Sequence, residues 1–229
     1  IYPDYNVLFM CFSPEVSFLS GIGLGTVGVL SARIAPKDKK VLALLPLIFA
    51  FQQIMEGIQW LYLRSGTTCE GAAYGFLFFA LLGWPIIIPS LVYLIDTQQR
   101  RVMRCFIAAG CILSGYFLAM LLLNGVNIIQ LNKSIQYQFT STFGYFWPFF
   151  IYLSVTVGPL VLSSIAAARW FGALSFISAA VTQYFFSATL ISVWCFFSAE
   201  ISVLLLAYLY HEQTRGESIQ RAEKVIAYQ

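Results

Sequence analysis

One carboxylate and three amides share a helix face in an otherwise apolar stretch, FAFQQIMEGIQW. At 100° per residue, Gln52, Gln53, Gln59 and Trp60 all fall within about 60° of Glu56. An acid that faced lipid near the bilayer centre would cost about 2.5 to 3.5 kcal/mol, so we expect this face to point into a helical bundle. Two interpretations stay open at this point. The face is either a polar clamp between helices or a site that binds a ligand or relays protons.

Two cysteines are further candidate ligands for the same site. Cys195, in SVWCFFSAE, is expected at about the depth of Glu56, and Cys11 precedes the first apolar segment. Two thiolates and a carboxylate could hold a soft metal ion such as Cu(I), or the thiols could form a redox pair. Against a metal, His211 is the only histidine and no C-x-x-C motif is present. No other cofactor is expected. The candidate ligand-binding residues are Glu56, Gln52, Gln53, Gln59, Trp60, Cys195 and Cys11, and no catalytic residue is predicted.

A second acid in an apolar segment, Glu200, is expected to have a partner of its own. It lies about 140° around the helix from Cys195, so the two side chains cannot serve one site. The sequence does not name that partner.

Composition places these residues in an integral membrane protein. Hydrophobic residues make up 59% of the 229 residues and charged residues 10%, whereas charged residues make up about 25% of soluble domains. The formal net charge is only +3, and no basic patch with interleaved aromatic residues is present. We therefore expect a lipid bilayer as the partner and no nucleic acid, with other membrane proteins as further candidate partners.

Seven apolar segments are long enough to cross a hydrocarbon core, which takes about 20 helical residues. They are apolar on nearly every face, so we expect an all-α bundle and not a barrel. The predicted spans are 16–34, 41–63, 71–95, 102–123, 143–167, 170–186 and 188–210. Residues 1–15 are expected to form an extracytoplasmic lead-in, and 211–229 a cytoplasmic tail.

Lysine and arginine are unevenly distributed among the connections between these spans. With seven spans, all 13 of these residues except Arg64 and Lys133 fall on one side of the membrane. The positive-inside rule then places the N-terminus outside and the C-terminus in the cytoplasm. This arrangement predicts a multi-pass protein of the cell membrane, which is the inner membrane in a Gram-negative host.

Two patterns predict how the spans pack and what covers them. Gly21, Gly25 and Gly28 recur on one face of span one, which lets a second helix approach closely in lipid. In the outer connection, Ile135, Tyr137 and Phe139 alternate with polar residues. This alternation predicts an extended or hairpin cap over the outer mouth of the bundle.

Proline predicts a bend in two of the spans. Trp-Pro pairs at 84–85 and 147–148, together with Pro89 and Pro159, interrupt spans three and five. The carbonyl groups that lose their helical donors must be satisfied by neighbouring side chains or water.

Three sequence motifs carry a family resemblance. MCFS at 10–13, QQxxEGxxW at 52–60 and WCFFSA at 194–199 resemble an uncharacterised family of bacterial multi-spanning membrane proteins that typically begin with Met-Cys-Phe-Ser. The resemblance implies that Cys11, the Glu56 face and Cys195 belong together. It carries no activity.

We expect the protein to bind or transport a small solute or ion in a polar pocket around Glu56, in the outer half of the bundle. One alternative is a non-catalytic accessory subunit of a larger membrane complex, since an aromatic-rich, weakly charged surface suits lateral contacts. A thiol-dependent membrane enzyme is a further alternative, although the sequence favours a protein that is not an enzyme.

Overall fold

A computed structural model of the chain describes residues 13–131, 133–139 and 146–227. Within them the chain is almost entirely helical, which confirms the all-α class. The helices are α1 (Pro14–Ile34), α2 (Leu44–Arg64), α3 (Glu70–Leu77), α4 (Trp84–Ile95), α5 (Arg100–Asn124), α6 (Phe146–Val161), α7 (Ala166–Phe185), α8 (Leu190–Ile201) and α9 (Leu204–Ala227). A 3-10 segment, Lys37–Ala43, leads directly into α2, and another, Ser187–Thr189, precedes α8.

In the part of the chain that the structure describes, five helical segments are long and apolar enough to cross a membrane. They are Pro14–Ile34, Lys37–Arg64, Glu70–Ile95, Arg100–Asn124 and Ser187–Gly216. They coincide with the first, second, third, fourth and seventh predicted spans. In the fifth and sixth, α6 has only 16 residues, and α7 has 20 but carries Arg169, Thr182 and Gln183. The count of seven spans therefore stays a prediction.

The third predicted span is a broken helix in the structure. A π-helical segment, Phe78–Gly83, separates α3 from α4 immediately before Pro85. Its carbonyl oxygens are satisfied from outside the helix: the Tyr152 hydroxyl donates to the carbonyl of Ala80, and the Ser114 hydroxyl donates to that of Leu82 at 2.8 Å. Helices α6 and α5 thus supply donors to two carbonyls of this break, a kind of compensation that interrupted helices in membranes require.

The last predicted span is also interrupted. A turn at Ser202 and Val203 separates α8 from α9, and the Ser202 hydroxyl donates to the carbonyl of Ala199 at 2.6 Å. Helix α9 then runs through residue 210 to Ala227, so the predicted cytoplasmic tail continues this helix through most of its length.

Helix α1 packs along α2 through two of its glycines. A Cβ atom added at Gly21 would lie 2.9 Å from Ile54 Cγ1, and one added at Gly28 would overlap Leu47. At Gly25 the nearest atom, Ala50 Cβ, would be 3.8 Å away, an ordinary contact. Close approach is therefore concentrated at the two ends of the predicted stripe and is absent at its centre.

A β-hairpin follows α5. Strand β1 (Asn127–Leu131) pairs antiparallel with β2 (Ser134–Gln138), with Ile128 opposite Tyr137. Ile135, Tyr137 and Phe139 are buried, whereas Gln138 is exposed. The period of two therefore predicted both the strand and its buried face. Strand β2 packs against α8, and Tyr137 stacks on Phe76 with ring centroids 5.1 Å apart.

Candidate functional site

The Glu56 face of α2 points into the bundle. Glu56 is only 2% exposed, and Gln52, Gln53 and Gln59 are fully buried. The Glu56 carboxyl accepts a hydrogen bond from the hydroxyl of Ser192 on α8, which is itself buried. This bond joins α2 to α8, the helix that also carries Cys195.

Gln52 is satisfied by contacts on three other segments. Its Oε1 accepts from the indole Nε1 of Trp84 at 3.0 Å, and its Nε2 lies 3.4 Å from Cys195 Sγ and 3.5 Å from the carbonyl oxygen of Phe76. The Trp84 ring also stacks on Phe49 with centroids 4.2 Å apart. Gln52 therefore acts as a clamp between α2, α3, α4 and α8.

Polar atoms without a partner gather around Glu56. Among the described residues, five buried side-chain nitrogen and oxygen atoms lack a hydrogen-bond partner. Four of them belong to this site: Gln53 Oε1 and Nε2, Gln59 Nε2 and the Tyr137 hydroxyl. The other Gln59 atom, Oε1, accepts from the backbone N–H of Cys69 at 3.1 Å. A buried polar group without a hydrogen-bond partner costs about 1 to 3 kcal/mol. A bound molecule that formed hydrogen bonds with these four atoms would remove that cost.

Tyr137 is a site residue that the motif analysis did not single out as a ligand. Burial raises the pKa of its hydroxyl well above the usual value, and the nearby Glu56 carboxyl and Cys195 thiol act in the same direction. The hydroxyl is therefore protonated at neutral pH and offers a donor toward the Glu56 face. The period-two alternation in β2 predicted its burial but not its proximity to α2, because the hairpin and α2 are far apart in sequence.

Trp60 lies inside the bundle core. It is 3% exposed and belongs to the same apolar cluster as Phe76, Ile135 and Val193. Trp60 is therefore part of the apolar core, together with Ile135 of β2.

The structure describes only one of the two candidate cysteine ligands. Cys195 is buried beside Gln52, whereas Cys11 lies outside the described residues. In the described part of the chain, no group of three or more His, Cys, Asp or Glu side chains could hold a metal ion. A soft metal bound with the help of Cys11 therefore stays a prediction.

Glu200 has a partner on α1. The Ser20 hydroxyl donates to Glu200 Oε1 at 2.6 Å, and Glu200 is exposed. The second acid is thus separate from the Glu56 site, as its position around α8 predicted.

A cavity of about 120 Å³ lies on the other side of Gln52. Its wall is formed by α2, α4, α6, α7, α8 and α9, and the lining includes Trp84 and Cys195 but none of Gln53, Glu56 and Gln59. No sequence motif indicates this cavity, because its lining residues come from several helices that share no sequence pattern.

Asp96 joins two helix connections at the end of the bundle opposite the hairpin. The sequence motifs did not identify it. Its carboxylate accepts from the Ser163 hydroxyl at 2.8 Å, the Ser164 hydroxyl at 2.7 Å and the Ser164 N–H at 2.6 Å. It also accepts from the N–H groups of Gln98 and Gln99 ahead of α5. An aspartate directly after an apolar run, where its side chain can accept from the N–H groups two and three residues on, is a turn signal that could have identified it.

Comparison with known protein families gives a match over most of the chain. A model for a family of unknown function, DUF6629, matches residues 10–221. The chain belongs to this family. No curated protein and no solved structure matches the chain.

The family match covers the whole of the candidate site. Its range includes the Glu56 face, β2, Ser192 and Cys195, and it begins at Met10, the first residue of the MCFS motif. The family resemblance that these motifs suggested is confirmed.

Proposed function

We propose that this protein binds a small polar solute or ion at the Glu56 face. One observation carries the proposal: four partnerless buried polar atoms belong to Gln53 and Gln59, which share the helix face of a buried carboxyl, and to Tyr137, which lies close enough to interact with that carboxyl electrostatically. Native interiors leave few such groups, and a cluster of them is typical of a site whose partner is a bound molecule.

The chemistry of the free atoms limits the ligand. Gln53 Nε2, Gln59 Nε2 and the Tyr137 hydroxyl are donors, whereas Gln53 Oε1 is an acceptor. The Glu56 carboxyl keeps further acceptor capacity beyond its bond with Ser192. A ligand that both donates and accepts satisfies this set, which favours a hydrated cation or a small polar molecule over an apolar one.

We further propose a seven-span topology in a bacterial cell membrane, with α6 and α7 as the fifth and sixth spans. The distribution of lysine and arginine supports it, because only Arg64 and Lys133 fall on the hairpin side. The N-terminus is then outside and the C-terminus is in the cytoplasm. Glu56 lies eight residues before the end of α2 at Arg64, about 12 Å along the helix axis, which puts the site in the outer half of the membrane.

Replacement of Glu56 by glutamine tests the site. Glu56→Gln keeps the shape and an acceptor for Ser192 but removes the charge, so the bundle is expected to fold. Glu200→Gln is the matched control, because Glu200 is bonded to Ser20 and is exposed. The melting temperatures of the purified proteins are compared in chlorides of sodium, potassium, calcium and ammonium and in glycine, with choline chloride as the reference.

At 100-fold excess over the Kd, a ligand stabilises the folded state by about 2.7 kcal/mol, which raises the melting temperature by several degrees. We expect at least one compound to produce this rise in the wild type and in Glu200→Gln but not in Glu56→Gln. Equal responses of wild type and Glu56→Gln to every compound would contradict the proposal.

A further inference from the structure

The wall of the cavity on the other side of Gln52 is mostly apolar. None of its lining residues is an aspartate, glutamate, lysine, arginine or histidine. Most polar groups of the wall are bonded within the protein: Thr156 donates to the carbonyl of Tyr152 at 2.8 Å, and Trp194 Nε1 donates to that of Ser175 at 3.3 Å. Trp84 Nε1 is bonded to Gln52. An occupant therefore needs no hydrogen-bonding groups, and a charged one would be costly to bury.

The cavity is elongated along the helix axes. Trp84 and Ile95 both line it, and they stand at opposite ends of α4, eleven residues or about 16 Å apart. Half of a hydrocarbon core of about 30 Å is about 15 Å, the depth that one leaflet of lipid tails fills. The cavity thus has the length and the depth of a single lipid tail.

The end of the cavity at the membrane surface also suits a lipid. Ile95 and Ala168 line this end, and the next residues in the chain are Asp96 and Arg169. Asp96 is buried with its oxygens bonded to serines, whereas Arg169 is exposed. A cation therefore lies where the headgroup of an inserted lipid would be.

We propose that this cavity holds one acyl chain of a lipid from the adjacent leaflet. The tail lies between α4 on one side and α6, α7 and α8 on the other, and its end approaches Cys195 and Trp84. This apolar site is separate from the Glu56 site and does not depend on it.

Quenching of tryptophan fluorescence by 9,10-dibromostearic acid in detergent micelles tests the proposal, because Trp84 and Trp194 both line the cavity. Ser198→Leu and Ser175→Leu place bulk in its wall from two different helices. Ala180→Leu is the control, since Ala180 is exposed on α7 and does not line the cavity. Folding of each variant is checked by circular dichroism and gel filtration.

We expect quenching of the wild type and of Ala180→Leu to saturate near one equivalent of probe and to be reversed by unbrominated stearate. Ser198→Leu and Ser175→Leu should raise the half-saturating probe concentration at least tenfold. Glu56→Gln should leave the titration unchanged, which separates this site from the polar one.

Two results would overturn the proposal. One is wild-type quenching that only rises in proportion to the probe-to-detergent ratio, with no saturable part. The other is a pair of folded Ser198→Leu and Ser175→Leu variants that titrate like the wild type. If neither variant folds, the wild type decides, because stearate that fails to restore its fluorescence as a one-site competitor also refutes the site.

Discussion

The Glu56 carboxyl is bonded to a neutral hydroxyl, that of Ser192, and its neighbours on α2 divide into two kinds. Gln52 is fully engaged with Trp84, Cys195 and the backbone, so it has the properties of a structural clamp. Gln53, one residue further, has no protein partner for either of its polar atoms. This face therefore carries a structural clamp at Gln52, and the proposed binding site begins at the adjacent residue, Gln53.

Replacement of Gln53 by leucine tests for an occupant without knowledge of its identity. In an unoccupied site, Gln53→Leu would remove two unsatisfied groups and raise the melting temperature. Because we propose a bound partner, we expect a fall instead, by about 1 to 3 kcal/mol in the free energy of unfolding. The control is Ser31→Ala, which removes the fifth partnerless atom, on α1, where no ligand is proposed. A rise for Gln53→Leu equal to or above that of Ser31→Ala would argue against the occupant.

At the scale of elements, the contact between α4 and α5 involves a backbone carbonyl that has no helical donor because of a proline. Pro89 has no N–H, so the carbonyl of Pro85, four residues earlier, loses its helical donor. Gly110 on α5 packs directly against this carbonyl, and a Cβ atom at 110 would overlap it. The absence of a side chain at Gly110 thus lets α5 approach the freed carbonyl of α4.

We expect Gly110→Ala to destabilise the protein by about 1 to 3 kcal/mol or more, because the added methyl group must push α4 and α5 apart. Gly115→Ala on the same helix is the control, since a Cβ atom there would meet nothing within 4 Å. That change should be neutral or slightly stabilising. Thermal unfolding of the two variants in the same detergent compares them, and equal melting temperatures would disprove the close contact.

Asp96 ties the α4–α5 connection to the α6–α7 connection, and its contribution should depend on pH. Burial acts to raise its pKa, but the hydrogen bonds from Ser164, Ser163 and Gln98 outweigh burial and lower it. A folded-state pKa below the unfolded value of about 3.9 means that the stabilisation is complete above pH 4 and is lost as the pH falls through the folded-state pKa.

Asp96→Asn should lower stability by about 1.5 to 3 kcal/mol at neutral pH, since charge-assisted hydrogen bonds are lost. It should also flatten the decline in melting temperature below pH 4. Asp38→Asn, at an exposed position, should retain the wild-type pH profile. A wild-type profile in Asp96→Asn would show that the tie contributes nothing.

For the whole molecule, the exposed surface and the charge distribution both fit a membrane protein with the proposed topology. Leu122, Leu123 and Tyr184 are each more than three-quarters exposed, which suits contact with lipid. At one end of the bundle Arg64 pairs with Glu15, and at the other Lys39 pairs with Glu212. The proposed topology places the first pair outside and the second in the cytoplasm.

Reporter fusions test this topology. Alkaline phosphatase fused after Gly66 should be active and after Ala35 inactive, because the enzyme matures only outside the cytoplasm. Green fluorescent protein at the same two positions should give the reverse pattern and serves as the control for expression. Phosphatase activity after Ala35 but not after Gly66 would invert the orientation.

The sequence by itself determined the membrane class, the positions of the long helices, the inward direction of the Glu56 face and the buried face of β2. Each depends on local composition or on a period of 3.6 or 2 residues, which the chain displays without its partners. Only the tertiary structure decided the π-helical break before Pro85, the contact of Gln52 with Cys195, the position of Tyr137 near Glu56 and the apolar cavity. They arise from the way helices distant in sequence fill the space between them and satisfy one another's freed backbone groups, and no local pattern encodes that complementarity.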